Sequence, residues 1–396
     1  MIFKPTAKFV LGCIIYLILR IINLFYKTRI GLYPMRLGPY ITVPEIYLRR
    51  KKNESIDIWC KNNKAIPNKY LDKLISKKLN FVDYRYFSAL VFFLKKCNLE
   101  KKNKKLFLNP YTRDTANIID KYKPILTIPN SDIKKAEKIL ISNNIDVSKK
   151  IVCIHVRDDE YLNKMYPNQD FSYHKRRNAD IKTYFKTINY LLSEDYIVFR
   201  MGKYVKQKLN IKHKNFYDFP NCKFKSELLD IYLGYKSFFS ISTGSGWDQI
   251  PFSFRRPVLY TNVANISRLQ LSSKKFISIF KLVKRNNKYL KLAEMLNEDV
   301  DLNFNIAKKR KKLLSNLTYI DNTEDEIVNA TKEMETLIKN NFNKMNIFTN
   351  PLMKKFLEKY DFEIVRDYFN EKGHSVDIRG SISLNFLKKN EAIIFE

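Results

Sequence analysis

Short apolar runs alternate with amphipathic segments between residues 151 and 262, at the intervals typical of an α/β domain. The predicted strands are Ile151–Val156, Tyr196–Arg200, Asn215–Phe219, Phe238–Ser242 and Pro257–Thr261, and the predicted helices are Asp180–Leu192, Glu227–Tyr235 and a short one from Trp247. One apolar stripe with the helical period runs along the first helix, at Ile181, Tyr184, Ile188 and Leu191. This alternation predicts a parallel sheet with right-handed crossovers.

The chain on either side of this region gives weaker signals. A strand at 56–60 and helices at 70–75 and 87–94 predict an earlier α/β domain. After about Val300 helix formers predominate, and a capping box at Thr323 and Glu326 predicts a helix to about Asn340. We therefore expect an anchor helix at 1–28, an α/β domain at 29–147, a Rossmann-like domain at 148–300 and a helical extension at 301–396.

The segment from Phe9 to Phe25 is almost wholly apolar, and Arg20 interrupts it. The uncharged stretch before Arg20 is short for a bilayer span, and no small-residue cleavage site follows. The flanking basic residues that suit an anionic membrane surface are Lys4, Lys8, Lys27 and Arg29. The pattern favours a retained helix in or on a membrane, and a helix packed on the first domain is the alternative.

The chain carries 73 Lys and Arg against 40 Asp and Glu, a formal net charge of +33. Such an excess attracts nucleic acid, anionic lipid or phosphorylated ligands. Lys, Asn and Ile are abundant throughout, so compositional drift onto solvated faces explains the charge equally well. The basic run Lys308-Lys-Arg-Lys-Lys312 has the same two interpretations, as a lipid or localisation patch or as a solvated helix face.

The five cysteines form no C-x-x-C pair, which disfavours a disulfide scaffold and a structural zinc site. Cys153 and His155 share one face of a predicted strand. We expect them to lie in the core or to position residues of a site. With only four histidines, no Ser-His-Asp, Cys-His or His-rich metal motif is recognisable. We expect neither a metal nor a cofactor.

Polar clusters follow the predicted strands, and in a parallel sheet their carboxyl ends share one edge. These clusters are Arg157–Tyr161, Arg200–Lys203, Asp218–Asn221, Ser242–Gly246 and Asn262–Asn265. We expect them to converge on one rim, although ordinary loops are polar too.

Two of these clusters have the chemistry of anion binding. The small residues of Ser242–Gly246 would let backbone N–H groups approach a phosphate, although the spacing differs from that of a P-loop and a plain turn is the alternative. Arg157 is suited to bidentate recognition of a diphosphate, to which Arg176, Arg177 and Arg200 could add. Each arginine alone is more often a surface ion-pair residue.

Three neighbouring acids offer carboxylates for general-base chemistry: Asp158, Asp159 and Glu160. The sequence does not rank them beyond a slight preference for Asp158.

An ordered set of motifs resembles a bacterial family of predicted glycosyltransferases from surface-polysaccharide gene clusters. The motifs are Arg157-Asp-Asp-x-Tyr161, Tyr173-His-x-x-Arg177-Asn-Ala-Asp-Ile181-x-x-Tyr184, Arg200-Met-Gly202, Ser245-Gly246, Ile250-Pro-Phe252 and Arg256-Pro257. The resemblance runs from about Arg29 to the C-terminal Ile382-Ser-x-x-Phe386-Leu-x-x-Asn390. It implies a GT-B-like architecture of two Rossmann-like domains, in which residues 29–147 face the acceptor and residues 148–300 bind the donor.

The strand end His155-x-Arg157 also resembles the His-x-Arg-x-Gly-Asp element of fucosyltransferase-like GT-B enzymes, whose arginine faces the donor diphosphate. Asp159 stands at the glycine position here, so only the phosphate-facing role of Arg157 is carried over. We expect catalytic roles for Arg157, whose phosphate-facing role the resemblance implies, and for Asp158, the slightly preferred base among the three acids. The donor-binding residues that we infer are His155, Arg157, Tyr161, Arg177, Asn178, Arg200, Gly202, Ser242, Thr243, Gly244, Ser245 and Gly246.

These expectations describe a metal-independent glycosyltransferase, hexosyl or deoxyhexosyl, at the cytoplasmic face of the bacterial inner membrane. It would transfer sugar from a nucleotide-sugar donor to a lipid-linked or polysaccharide acceptor of a growing capsule, O-antigen or similar glycan, with Gly31 and Glu45 among the acceptor contacts. No nucleic acid is expected as a partner. A basic nucleic-acid-binding or RNA-modifying protein is one alternative, and a non-catalytic membrane scaffold for polysaccharide assembly is the other.

Overall fold

The structure, a computed structural model, describes residues 4–51, 55–108, 114, 116–304, 314, 316–360 and 378–396. The chain forms two compact units. The first comprises Met1–Asp114 with Pro124–Ile128, and the second comprises Thr115–Lys123 with Pro129–Glu396. The predicted basic run at 308–312 lies outside the described residues.

The first unit is built on three parallel strands in the order β1-β2-β3. Its elements are α1 (Pro5–Phe25), β1 (Lys27–Leu32), α2 (Leu37–Arg50), β2 (Ser55–Lys61), α3 (Lys69–Ile75), β3 (Asn80–Asp83) and α4 (Tyr84–Lys96). A 3₁₀ turn at Lys101–Leu106 follows α4. The strand and the two helices predicted here are confirmed, each within an observed element.

Helix α1 is long and apolar enough to cross a membrane by length and composition, and little of it is buried. One face packs on the first unit. A Cβ on Gly12 would lie 2.2 Å from the carbonyl oxygen of Ala89 in α4, so only glycine permits this approach. The packed face contributes Leu19 to a core cluster with Ile30, Cys60, Leu90, Phe93 and Leu94.

The carboxylate of Glu45, in α2, is fully buried. It accepts hydrogen bonds from the backbone N–H groups of Ile125 and Leu126, each at 2.9 Å, and so fastens the segment 124–128 to the first unit. A Cβ on Gly31 would lie 2.6 Å from that of Leu108, so Gly31 allows close packing. The expectation that Glu45 contacts an acceptor is wrong, because its carboxylate is enclosed.

The second unit holds a seven-stranded sheet in the order β13-β9-β8-β7-β4-β5-β6, with every pairing parallel. Its strands are β4 (Ile151–His155), β5 (Ile197–Arg200), β6 (Phe216–Asp218), β7 (Phe239–Ser242), β8 (Val258–Val263), β9 (Phe276–Phe280) and β13 (Ser381–Ile382). The five predicted strands and the parallel sheet are confirmed, and the prediction lacked β9 and β13.

The helices up to residue 304 are α5 (Ile118–Lys121), α6 (Asn130–Ile141), α7 (Glu160–Met165), α8 (Phe185–Ser193), α9 (Glu227–Lys236), α10 (Gln249–Ser253) and α11 (Leu292–Phe304). The helix expected at 180–192 opens as a 3₁₀ turn, Ile181–Tyr184, and continues as α8. Its predicted apolar stripe is buried against the sheet.

The C-terminal segment is mainly helical, as predicted, but it belongs to the second unit. A small antiparallel sheet joins β10 (Leu282–Arg285), β11 (Lys288–Tyr289) and β12 (Leu317–Ile320). The helices are α12 (Glu324–Lys339), α13 (Met345–Phe348), α14 (Pro351–Lys359), α15 (Leu384–Lys389) and α16 (Glu391–Phe395), and the capping box that opens α12 is confirmed. The segment differs from the expected extension because β13 adds to the main sheet and Phe386 packs 4.9 Å from Phe280.

A buried lysine fastens this segment to the sheet. The amino group of Lys344 donates to the carbonyl oxygen of Phe276 in β9 at 2.6 Å and to the hydroxyl of Ser381 in β13 at 2.9 Å. Burial lowers the pKa of Lys344 to about 7, although the nearby carboxylates of Glu333 and Asp120 act in the opposite direction.

We predict that the free energy of unfolding rises with pH more steeply in the natural chain than in Lys344→Met, between about pH 7 and pH 10.5. The folded-state pKa lies below the unfolded one, so the unfolded chain binds more protons in this window. The difference in slope should approach about 1.4 kcal/mol per pH unit, measured by urea unfolding. Lys339→Met removes an exposed lysine and should keep the natural slope. Equal slopes for the natural chain and Lys344→Met would contradict the assignment.

Candidate functional site

Two of the predicted polar clusters meet at the carboxyl ends of β4 and β7. The parallel register sets His155 opposite Ser242. Beyond the strands, the N–H of Thr243 donates to the carbonyl oxygen of His155 at 3.2 Å, and the N–H of Arg157 donates to the Thr243 hydroxyl at 3.0 Å. The loop after β4 and the turn after β7 are thus joined at the rim of the sheet.

The turn Ser242–Gly246 is organised by Asp248, whose carboxylate is fully buried. It accepts hydrogen bonds from the Ser242 hydroxyl at 2.9 Å, from the Ser245 N–H and from the Gln249 amide at 2.6 Å. Burial raises the pKa of Asp248 to about 6, although these hydrogen bonds lower it in part. The Asp248 carboxylate therefore ties both ends of the turn to the start of the helix that follows it.

Gly244 gives this turn its shape. Its φ of +73° lies in the left-handed region that favours glycine, and a Cβ there would meet nothing within 4 Å. The backbone at Gly244 therefore borders open space, where a ligand could approach it.

The imidazole of His155 supports the same turn. Its Nδ1 lies 3.0 Å from the Ser245 hydroxyl, and the ring stacks on Trp247 with centroids 6.0 Å apart. Burial, followed by the positive charges of Arg200 and Arg157, lowers the pKa of His155 to about 3. The ring is therefore neutral at physiological pH and acts as a hydrogen-bonding support.

Guanidinium groups gather beside the turn. Arg177 donates to the carbonyl oxygen of Gly244 at 2.8 Å, and Nε of Arg157 donates to the Asn178 side chain at 3.1 Å. Burial lowers the pKa of Arg177 to about 10, and the charges of Arg157, Arg176 and Arg268 add to this effect. Arg176 is itself neutralised by Asp299 at 2.8 Å. Arg157, Arg177 and Arg268 form a cationic cluster, and an anionic ligand would relieve its repulsion.

The side chain of Arg200 does not lie at the rim, where the sequence predicted it. Its side chain is 1% exposed, and Nη1 donates to Asp218 at 3.0 Å and to the carbonyl oxygen of Gln207 at 3.1 Å. The register of β5 and β6 places Arg200 opposite Asp218, so the pair joins two strands inside the unit. The structure does not present this guanidinium at the rim.

Gly202 shapes the loop after β5, because its φ is +150° and a Cβ would lie 2.8 Å from the Val205 side chain. Tyr161 stacks on Tyr204 of the same loop, with centroids 6.4 Å apart. Both residues therefore position the loop beside the rim.

The acidic residues after β4 have local partners. Asp158 accepts hydrogen bonds from the N–H of Glu160 at 3.0 Å and from the N–H of Lys206 at 2.9 Å, so it holds two loops together. Asp159 accepts a hydrogen bond from the Asn178 amide. Glu160 forms an ion pair with Lys164 at 3.1 Å within α7. These contacts give Asp158 a positioning role, and its role as a base stays a prediction.

Two further sets of contacts at this rim were not predicted. Lys281, directly after β9, donates to the carbonyl oxygen of Asn178 at 2.5 Å and to Asp321 at 2.6 Å. Asn262 exchanges backbone-to-side-chain hydrogen bonds with Asn322, at 2.6 and 2.7 Å. The apolar run of β9 was a signal that could have located Lys281 at a strand end. Nothing in the sequence pairs residues 262 and 322.

Within the described ranges, no group of three or more His, Cys, Asp or Glu side chains is placed to hold a metal ion.

No family model and no curated protein matches this sequence. Among solved structures, the chain is similar to a glycosyl transferase family 9 protein from Veillonella parvula, with a TM-score of 0.47, 11% identity, and coverage of 78% of this chain and 97% of that one. It is also similar to the iron-containing dodecameric glycosyltransferase TibC from enterotoxigenic E. coli, with a TM-score of 0.34, 12% identity, and coverage of 62% and 61%. A UDP co-structure of S. aureus MnaA gives a TM-score of 0.30, 12% identity, and coverage of 79% and 98%. At these values the likeness assigns neither a family nor an activity.

Proposed function

We propose that this chain is a glycosyltransferase that binds a nucleotide-sugar donor at the carboxyl ends of β4 and β7. The observation that carries the proposal is the cationic cluster of Arg157, Arg177 and Arg268 beside the Gly244 turn. A donor diphosphate would bring negative charge to these guanidinium groups, and planar guanidinium groups recognise phosphate oxygens in pairs.

The same cluster would assist the chemistry. When the sugar is transferred, its anomeric carbon forms a bond to an acceptor hydroxyl oxygen, which gives its proton to a base, and the bond from that carbon to the diphosphate breaks. Negative charge then grows on the leaving oxygen. Fixed positive charge in a largely buried site stabilises that charge without rearrangement. Arg157 would contact the diphosphate, while His155, Thr243 and Asn178 hold the surrounding loops in position through the hydrogen bonds described above.

Metal independence is part of the proposal, since guanidinium groups can supply the charge that a divalent cation supplies in other transferases. The acceptor would be a lipid-linked or polysaccharide chain of a surface glycan at the cytoplasmic face of the bacterial inner membrane. Support comes from the sequence motifs and from the apolar helix α1, which is long and apolar enough to enter a membrane. The sugar transferred would be a hexose or a deoxyhexose.

The scaffold alternative uses the same donor site without turnover, so binding alone does not distinguish it from the enzyme. The nucleic-acid alternative fits the site less well. Arg177 is largely buried behind the Gly244 turn, which suits a compact diphosphate better than an extended polynucleotide backbone.

We predict that one nucleotide among UDP, GDP, CMP and ADP, or its sugar conjugate, raises the melting temperature of the full chain. Ligand at a hundredfold excess over its Kd stabilises the folded state by about 2.7 kcal/mol. Arg157→Ala and Arg177→Ala should each remove most of this shift, as measured by thermal unfolding with each nucleotide.

The matched control is Lys339→Ala, which removes one exposed positive charge at the far end of α12. It should keep the full shift. An equal loss in the control would indicate nonspecific charge attraction. The absence of any shift in folded protein would remove the proposed donor site.

We predict that transfer continues at an unchanged rate after removal of divalent cations with EDTA, because the arginines carry the leaving-group charge. Radiolabelled sugar transfer to a membrane extract gives the rate. Loss of activity with EDTA and its recovery on adding Mg²⁺ or Mn²⁺ would contradict this part of the proposal.

Asp158 is tested against its neighbour. If Asp158 is the base, Asp158→Asn should lower kcat by about 100-fold or more without changing donor affinity, whereas Asp159→Asn should retain most activity. Single-turnover transfer and donor binding separate these effects. A lower melting temperature with kcat preserved would instead show that Asp158 only holds its two loops.

A further inference from the structure

Helix α1 has two faces of different environment. The face toward the first unit includes Gly12 and Leu19, which are buried, and Phe9 and Tyr16, whose rings lie 5.2 and 5.6 Å from that of Phe93. The opposite face, named here the apolar face, consists of large side chains that are between 48% and 78% exposed. They are Val10, Ile14, Leu17, Ile18, Ile21, Leu24 and Phe25. An apolar surface of this kind needs a partner.

Helix α1 is also attached along its whole length. It ends at Phe25, and β1 begins at Lys27, so a single residue joins it to the sheet. Asn23 secures this junction, since its amide donates to the carbonyl oxygens of Leu19 and Thr28 and its Oδ1 accepts from the Thr28 N–H. Because this connection is so short, α1 cannot move away from the rest of the first unit.

Exposed lysines lie beside the packed face of α1. Residues 95–105, named here the lysine segment, contain six exposed lysines and one acid, Glu100. The amino groups of Lys8 and Lys96 both lie over the ring of Phe92, at 5.1 and 5.9 Å from its centroid. Further along, the Tyr16 hydroxyl lies 3.5 Å from the side chain of Asn103, which has two lysines on each side in sequence.

We propose that α1 and the lysine segment together form one membrane-binding surface, with α1 lying in the plane of an anionic lipid interface. The apolar face would enter the boundary between headgroups and acyl chains, and the lysines would contact anionic headgroups. This deepens the proposed function only in its membrane partner, and it holds whether or not the chain transfers sugar.

A spanning orientation conflicts with these contacts. Helix α1 is about 31 Å long at 1.5 Å per residue, so Tyr16, near its middle, would lie at the bilayer centre. Asn103 and its neighbouring lysines would be carried to the same depth, where charged side chains are strongly unfavourable. In the plane of the interface, the same lysines stay at headgroup level.

The charge pattern also selects lipid over a second copy of the chain. Two copies that met through their apolar faces would bury those faces but would offer the lysine segments no excess of negative charge, since each copy is itself strongly basic. An anionic membrane complements both the apolar face and the lysines.

The first experiment measures flotation of the full chain with preformed vesicles of phosphatidylcholine, with and without phosphatidylglycerol. Binding should be stronger by about tenfold or more with the anionic lipid and should weaken at high salt. Replacing Lys101, Lys102, Lys104 and Lys105 by Gln should remove most of that preference. The matched control replaces four exposed lysines of the second unit, Lys332, Lys339, Lys354 and Lys388, by Gln and should bind as the natural chain does.

The second experiment measures depth, with tryptophan placed at Val10, Leu17 or Leu24 and quenched by lipids brominated at shallow or deep acyl positions. An in-plane helix predicts equal, shallow quenching at all three sites. Quenching deepest at Leu17 would show a spanning helix and overturn the proposal. Concentration-dependent dimers without vesicle binding, or binding with no preference for anionic lipid, would overturn it as well. Nucleotide binding is read separately, so failure of the donor site leaves these outcomes unchanged.

Discussion

The parallel pairing of β4 between β5 and β7 is the constraint on which the site depends. This register ends β4 and β7 at the same level, so that Arg157 and the Gly244 turn emerge side by side. A shift of one residue would turn the strand faces over and separate the loop hydrogen bonds at Thr243. The buried apolar strands therefore fix, by packing alone, where the polar groups of the rim can meet.

Packing brings the loops together, but it does not explain why the cationic cluster is tolerated. Burial and three neighbouring arginines both disfavour the charged form of Arg177, and only Asp248 among its main electrostatic neighbours favours it. The Asp248 carboxylate already accepts hydrogen bonds from Ser242, Ser245 and Gln249, which shape the turn beside the cluster. Burial together with positively charged neighbours is an arrangement often found where a protein binds an anion.

The sequence was informative where the determining contacts are local. Apolar runs located five strands of the main sheet, and the capping box at Thr323 and Glu326 located the start of α12, because these signals depend on neighbouring residues. The α/β class and the apolar first helix followed from the same patterns. The prediction lacked β13, since a strand of two residues has no period.

Contacts between positions far apart in the chain decide the parts of the site that the sequence does not predict. From the sequence, Arg200 is predicted to lie at the rim, but in the folded chain β6 places Asp218 beside it. Likewise, Glu45 is predicted to be accessible, but a segment 80 residues later encloses its carboxylate. The grouping of Arg157 with Arg177 followed from motifs, whereas the inclusion of Arg268 required the folded chain. A polar residue at a strand end is thus only a candidate, because the fold decides whether its partner is protein or ligand.

β13 is the last strand of the main sheet in chain order, and this matters for the folding of the sheet. Until residues 381–382 have been made, β9 is the edge of the growing sheet, and its sequence Phe-Ile-Ser-Ile-Phe is the kind of apolar strand that recruits other chains. Lys344 precedes β13 in the chain, and in the folded protein its amino group donates to the carbonyl oxygen of Phe276 at this edge. The C-terminal segment therefore closes an edge that would otherwise favour aggregation, and Lys344 fastens β9 to β13 once both strands are in place.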